Sequence, residues 1–432
     1  MTSSLLFQQL NNIQNNFDLQ PLLELERLKT FGVEYDRGIL ADLNIMLEPN
    51  NNRYIPIKKF FTGHRGCGKS TLLSECAHNQ KDRYFTVFFS IGDVSELADV
   101  DHTNILFAIG VSMLTAAKQQ GVEFARTIED SLSRWFNNVL QTNKTTEGGE
   151  LSLDLTIIKF KLQRESETRE EVKKKFERRI DDLIGKLNEI AAIIADATQK
   201  PILVIIDDLD KISRPDLALS IYSYNLNALI APQFSIIYTL PIAFYRNYDV
   251  MGSLESVLPE PVLLMPVLKL VPKDKRRAIP ADFTSPAIEI LYQAIDRRLP
   301  DQFKQIIEPD IARQIVLMSG GVLRELIRIV YRCLEVAKKQ AYRDPTLTSI
   351  KIDQAIFTEA IRKIRLEFQP AIGEPGYEIL TTIYQEFNPT DPGNPEFLKL
   401  LHRLYILEYQ NDDMWYDLHP IIENLLRRQK LI

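Results

Sequence analysis

The spacing of apolar residues changes along this chain, and each change marks a different kind of element. In residues 1–50 the apolar positions fall in helical stripes, first Leu22, Leu23, Leu25 and Leu28, then within Ile39–Leu47. From 51 to about 270, short apolar runs alternate with helical stretches. The runs are Lys58–Thr62, Tyr84–Ile91, Ile202–Ile206, Phe234–Leu240 and Val262–Leu270. The helical stretches include His102–Lys118, Val122–Leu140 and Pro215–Ile230, with Pro215 suited to a first turn. Such alternation predicts a parallel sheet with helices on its faces. Two stretches depart from it. Glu150–Leu162 alternates with period two, which predicts a strand pair or extended ribbon, and Thr168–Thr198 predicts one long helix.

Pro272–Pro286 is rich in proline and charge and sets a domain boundary. Beyond it, 287–368 reads as helix after helix, one of them Val322–Gln340. Gln369–Gly376 is a second breaker. The remainder predicts helices at Tyr377–Phe387 and Pro395–Leu404, strands at Tyr405–Gln410 and Met414–Leu418 joined by Asn411-Asp412-Asp413, and a final helix at Pro420–Arg428. Two helices, a hairpin and a helix in about 60 residues suggest a winged-helix module. The expected domains are a helical segment 1–50, a core 51–271 with an insertion near 141–200, a helical domain 287–368 and a winged-helix-like domain 370–432.

The chemistry begins where the first apolar run ends. Gly63-His64-Arg65-Gly66-Cys67-Gly68-Lys69-Ser70-Thr71 matches the phosphate-binding pattern G-x-x-x-x-G-K-[ST] in full, between a strand and a helix. Glycines let successive N–H groups turn toward one anion, and the helix N-terminus adds its positive end. Lys69 brings a mobile charge to the β- and γ-phosphates, and the Ser70 hydroxyl is placed to ligate Mg²⁺. Ile202–Ile206 then runs into Asp207 and Asp208, an apolar strand ending in two carboxylates. Asp207 is expected in the Mg²⁺ shell and Asp208 as the base that orients water. Asp is one methylene shorter than Glu, so slow turnover is expected. Thr239, at the tip of the Phe234–Leu240 run, is expected to face the γ-phosphate. Asn143-Lys144-Thr145-Thr146 lacks the Asp of a guanine-reading motif, so ATP is expected rather than GTP.

Composition excludes more than it identifies. The 432 residues are 45% hydrophobic and 25% charged, an ordinary globular balance, and the net charge of −6 argues against a surface coated for nucleic acid. The three cysteines, Cys67, Cys76 and Cys333, have neither metal nor disulfide-framework spacing, which suits a cytoplasmic setting. The polar N-terminus does not read as a signal peptide, and no apolar run is long enough for a membrane span.

Together the loop, the strand ending in Asp207-Asp208-Leu209-Asp210, the strand ending in Thr239 and the stretch Ser319-Gly320-Gly321-Val322-Leu323-Arg324 resemble the AAA+ superfamily, its initiator-like and STAND-like members above all. The resemblance covers roughly 50–430. It implies an α/β P-loop NTPase core with a parallel sheet, followed by a helical lid and a winged-helix domain. It also implies ATP and Mg²⁺ as cofactors, and Arg324, in Gly321-Val322-Leu323-Arg324, as a γ-phosphate sensor. Such proteins often form homo-oligomers, and similar ATPases serve bacterial conflict or antiviral defence systems. Two features depart from the pattern. The stretch between Lys69 and Asp207 is longer than a minimal core needs, and no single arginine stands out as a finger supplied to a neighbour. Arg246, Arg276, Arg277, Arg297 and Arg298 are rivals for that role.

The C-terminal region bears on partners. Residues 370–432 carry ten acidic and five basic side chains, a net of about −5. Acidic charge at a hairpin tip repels phosphate, so a protein partner or self-assembly is expected ahead of DNA. The DNA-loading initiator and the structural ATP binder with negligible hydrolysis are the alternatives to an ATP-driven switch.

Overall fold

The computed structural model describes residues 5–35, 37–48, 55–140, 154–368, 372–410 and 413–432. The chain divides into two compact units, one of 39–62 and 73–264, the other of 1–38, 63–72 and 265–432.

The first unit is built on a five-stranded parallel sheet. Its strands are β1 (Lys58–Gly63), β2 (Phe85–Ser90), β3 (Ile202–Asp207), β4 (Ser235–Pro241) and β5 (Val262–Met265), in the order β2-β3-β4-β1-β5. Val87 lies opposite Val204, and Ile205 opposite Ile237. Every residue of β3 and β4 is buried, because a parallel sheet is covered on both faces. Phe60 stacks on Tyr238 at 5.4 Å between centroids, which fixes β1 beside β4. The fold is thus an α/β P-loop core plus helical domains, as the periodicity predicted.

The insertion differs from its expected form. Leu155–Arg164 is an α-helix, not a ribbon, and residues 150–153 lie outside the described residues. A period of two would put Phe160 on the same side as Ile158 and Leu162, but it is 60% exposed. The buried positions are Leu155, Ile158 and Leu162, a helical spacing. Asp154 caps this helix by accepting from the N–H groups of Thr156 (3.0 Å) and Ile157 (3.2 Å). The expected long helix is two, Ser166–Phe176 and Ile180–Thr198. These helices pack on His102–Gln119, and Phe107, Trp135, Phe136 and Phe176 form an aromatic cluster among them. The insertion is therefore a structural layer over the sheet. Pro215–Ile230 is also interrupted, by a π-helical turn at Ser220–Tyr224.

The second unit carries the helices Leu5–Asn15, Pro286–Asp296, Pro309–Met318, Leu323–Arg343 and Gln354–Phe368. Leu5–Asn15 packs along Leu323–Arg343, where Lys338 donates to Gln14 Oε1 at 2.6 Å. A C-terminal module follows: helices Glu374–Glu386 and Pro395–His402, an antiparallel hairpin of β6 (Ile406–Gln410) and β7 (Met414–Leu418), and the helix Pro420–Arg428. Each element falls within a few residues of its expected place. The hairpin-tip residues 411 and 412 lie outside the described residues, as do 369–371 of the second breaker. Val267, Val322, Leu404, Leu407, Tyr409 and Trp415 form a small core that joins the module to the helices before it. Among the described residues no helix is long and apolar enough to cross a membrane.

Candidate nucleotide site

The phosphate loop belongs to the second unit, and its surroundings there come from distant parts of the chain. β1 ends at Gly63 and the helix Lys69–Asn79 begins five residues after His64, so the loop is short and turns sharply. Lys69 is buried, and its Nζ donates to the carbonyls of Gly63 (2.9 Å) and His64 (2.8 Å). The loop's ammonium group is thereby held against the loop's own backbone. Ser70 lies in the first helical turn, half-buried. The Thr71 hydroxyl accepts from the Leu22 N–H at 3.1 Å and so anchors the N-terminal segment.

Arg324 meets the loop through its backbone. Its N–H donates to the Gly66 carbonyl at 2.9 Å. Gly66 has φ +81, and a Cβ there would stand 2.6 Å from the Arg324 Cβ, so only glycine fits. Gly321 (φ +86) is fixed in the same way, since a Cβ would lie 1.9 Å from the Leu268 carbonyl oxygen. The two glycine requirements bring the start of the Leu323–Arg343 helix onto the loop. Glu325 pairs with Arg328 at 3.2 Å and Glu335 with Arg332 at 2.7 Å. Arg324 has no ion pair among the described residues.

The carboxylates stand on the first unit. Asp207 is the last residue of β3 and is buried. Asp208 adopts a left-handed backbone, φ 69, which turns the chain at the strand end. Oxygens of Asp207, Asp208 and Asp210 lie within 4.8 Å of one another. Three carboxylates this close suit a hard divalent cation, which takes oxygen ligands and offsets their mutual repulsion. Asp208 is also held by its neighbours: the Ser90 hydroxyl donates to it at 2.7 Å and Lys211 pairs with it at 2.7 Å. Sequence reading missed Ser90 and Lys211. Lys211 was legible in principle from its i+3 spacing, whereas Ser90 reaches Asp208 only because β2 lies beside β3.

Thr239, expected to face the γ-phosphate, is held on both sides of its hydroxyl. Its hydroxyl proton goes to the Ile206 carbonyl (3.1 Å) and its oxygen accepts from the Leu209 N–H (2.9 Å). Fully buried, it acts as a strut between β4 and the turn after β3. Beside it the Thr62 hydroxyl donates to the Leu240 carbonyl at 2.8 Å. The carboxyl ends of β1, β3 and β4 are thus tied side by side, and the loop begins one residue after Thr62.

The rival arginines are mostly engaged. Arg276 Nε lies 2.5 Å from Asp417, and Arg277 donates to both Asp417 oxygens. Arg297 donates to the Gly32 carbonyl, and Arg298 to those of Phe31 (3.0 Å) and Ala294 (2.9 Å). Burial pushes Arg298 down to about 10. Arg246 lies over the ring of Tyr245.

No family model and no curated protein matches the sequence. Among solved structures the chain is similar to Cdc6p from Pyrobaculum aerophilum, with 13% identity over 96% of this chain and 98% of that one and a TM-score of 0.39. It is similar also to the Aeropyrum pernix Orc1 protein in complex with DNA (10% identity, 95% and 96% covered, TM-score 0.37). A third is a RuvB variant from Thermotoga maritima (14% identity, 61% and 94% covered, TM-score 0.26). A likeness this distant says nothing about chemistry.

Proposed function

We propose that the chain is an AAA+-type ATPase that binds ATP with Mg²⁺ and works as a nucleotide-driven switch. The observation that carries this reading is the full phosphate-loop sequence directly after strand β1, in a chain whose strand β3 ends in Asp207 and is followed by Asp208. The loop contributes backbone N–H groups and Lys69 to the phosphates, and the Ser70 hydroxyl to the cation. Lys69 makes this contribution by exchanging its bonds to Gly63 and His64 for phosphate oxygens. The sheet contributes Asp207 to the cation and Asp208 to the attacking water. The cation, when bound, neutralises charge on the phosphate oxygens.

Asp208 already accepts from Ser90 on one oxygen and pairs with Lys211 through the other, so part of its accepting capacity is in use, which supports slow turnover. Arg324, with no ion pair among the described residues, is suited to sense the γ-phosphate. Thr239 positions the strand ends and does not itself meet phosphate. The acidic C-terminal module suits assembly or regulation of a protein partner rather than DNA.

Calorimetric ATP titration and single-turnover hydrolysis test the assignment. Lys69→Ala abolishes tight ATP binding, while Asp208→Asn binds ATP and does not turn it over. Normal hydrolysis by Asp208→Asn would remove Asp208 from its role. A change in particle size on adding ATP separates a nucleotide-driven assembly from a monomeric binder.

A further inference from the structure

The phosphate loop is fastened to the C-terminal module by two histidine rings. The Glu408 backbone N–H, on the side of β6 not paired with β7, donates to His64 Nε2 at 2.8 Å. The Arg65 guanidinium lies 2.8 Å from His402 Nε2. His64 is 1% exposed and His402 8%. In both contacts the partner can only donate, since an amide N–H and a guanidinium have no lone pair to offer. Both Nε2 atoms must therefore be acceptors, and both rings must be neutral with their proton on Nδ1.

Protonation would put a proton on each Nε2, and two donors would then face each other. At His402 the new charge would also oppose Arg65. The charged groups on the elements packed here do little to favour a protonated ring. Arg65 and Lys69 come from the loop, Arg324 from the following helix, and Arg403 from the residue after His402. Opposing them is the Glu408 carboxylate, which accepts from the Gln410 amide at 3.1 Å; Glu396 is matched by Lys399 on the His402 helix.

We propose that His64 and His402 form a proton-sensitive latch between the phosphate loop and the C-terminal module, closed while both rings are neutral and opened by their protonation. Resting on the ATP-binding reading, the latch regulates the loop's access to nucleotide: opening it frees residues 64 and 65 to move with an arriving phosphate. By linkage, whatever opens the latch strengthens phosphate binding, and phosphate in turn weakens the latch.

The Glu408 amide is its own reporter. Residue-resolved hydrogen exchange on the full chain without nucleotide is compared at pH 8 and about pH 5, the lower value set well below the free-histidine range because burial and the surrounding cations oppose protonation, after correction for the intrinsic pH dependence of exchange. Wild type is expected to lose protection at Glu408 on the order of tenfold, about what the loss of one hydrogen bond supplies. Amides of Ile202–Asp207 should keep theirs. His64→Gln retains an acceptor that does not titrate, so its Glu408 protection should not change with pH, and His402→Gln should lessen the change. Constant protection in wild type, an equal fall in His64→Gln, or an equal fall at Ile202–Asp207 would each overturn the latch. ATP titration at the same two pH values reads the function separately. Absence of ATP binding at both, with the Glu408 response intact, would sink the ATPase reading and leave the latch standing.

Discussion

Two of the polar attachments of the C-terminal module have opposite chemistry. At Asp417 the hold is ionic and closed to water. The Asp417 side chain has no exposure, Arg276 Nε reaches it at 2.5 Å, Arg277 donates to both its oxygens, and the Leu418 N–H adds a bond at 2.8 Å. Arg277 also lies over the rings of Tyr384 (4.0 Å) and Phe387 (4.3 Å). At the loop the hold is two hydrogen bonds to neutral imidazoles. A buried ion pair cannot be opened without stranding a charge, whereas a neutral acceptor can be switched off by one proton. The difference suggests a permanent hinge at the 272–286 connector and a releasable contact at the phosphate loop.

The largest test breaks the permanent side. Asp417→Ala leaves Arg276 with Glu423 alone and Arg277 with the Tyr384 carbonyl and its ring contacts, and is expected to cost about 3 kcal/mol in urea denaturation. A loss under about 1 kcal/mol would make the clasp ornamental. A second test concerns His419, which follows the clasp and is held down to about 3 by burial, with Arg328 and Arg276 adding repulsion. An unfolded histidine takes up a proton near 6.5, before the folded one does. This contribution is therefore constant above about pH 6.5 and lost as pH falls toward 3, at about 1.4 kcal/mol per pH unit. The ring caps the last helix, its Nδ1 accepting from the Ile421 N–H at 3.2 Å. His419→Asn keeps a capping acceptor and should flatten the acid limb of a stability–pH curve. An unchanged limb would mean that His419 is not the group responsible.

The smallest effect belongs to the releasable side. A double-mutant cycle on Arg65→Ala and His402→Ala should give a coupling of about 0.5–1.5 kcal/mol at pH 8, with little salt dependence because one partner is neutral. Coupling as large as at Asp417 would erase the contrast between the two attachments.

Periodicity went far in this chain where one element faces one environment. β1 to β4 and the elements of the C-terminal module lie close to where apolar spacing puts them, because both faces of a parallel strand are buried and each module helix hides one stripe. It failed at Leu155–Arg164, where the exposed Phe160 mimicked an inward position, and at Ser220–Tyr224, where tertiary packing tolerates a π turn. The loop, Asp207 and Asp208 stand out as candidates in the sequence because phosphate and cation chemistry require a fixed local order of residue types. Arg324 was legible only by resemblance.

The sequence alone determined which residues are candidates for phosphate and cation, since those patterns are set by neighbours along the chain. The tertiary structure alone decided what restrains them. Ser90 on Asp208, Ile206 on the Thr239 hydroxyl, Gly66 against Arg324, and Glu408 and His402 on the loop join positions tens to hundreds of residues apart. A hydrogen bond depends on where folding brings a donor and an acceptor, and spacing along a sequence does not record that.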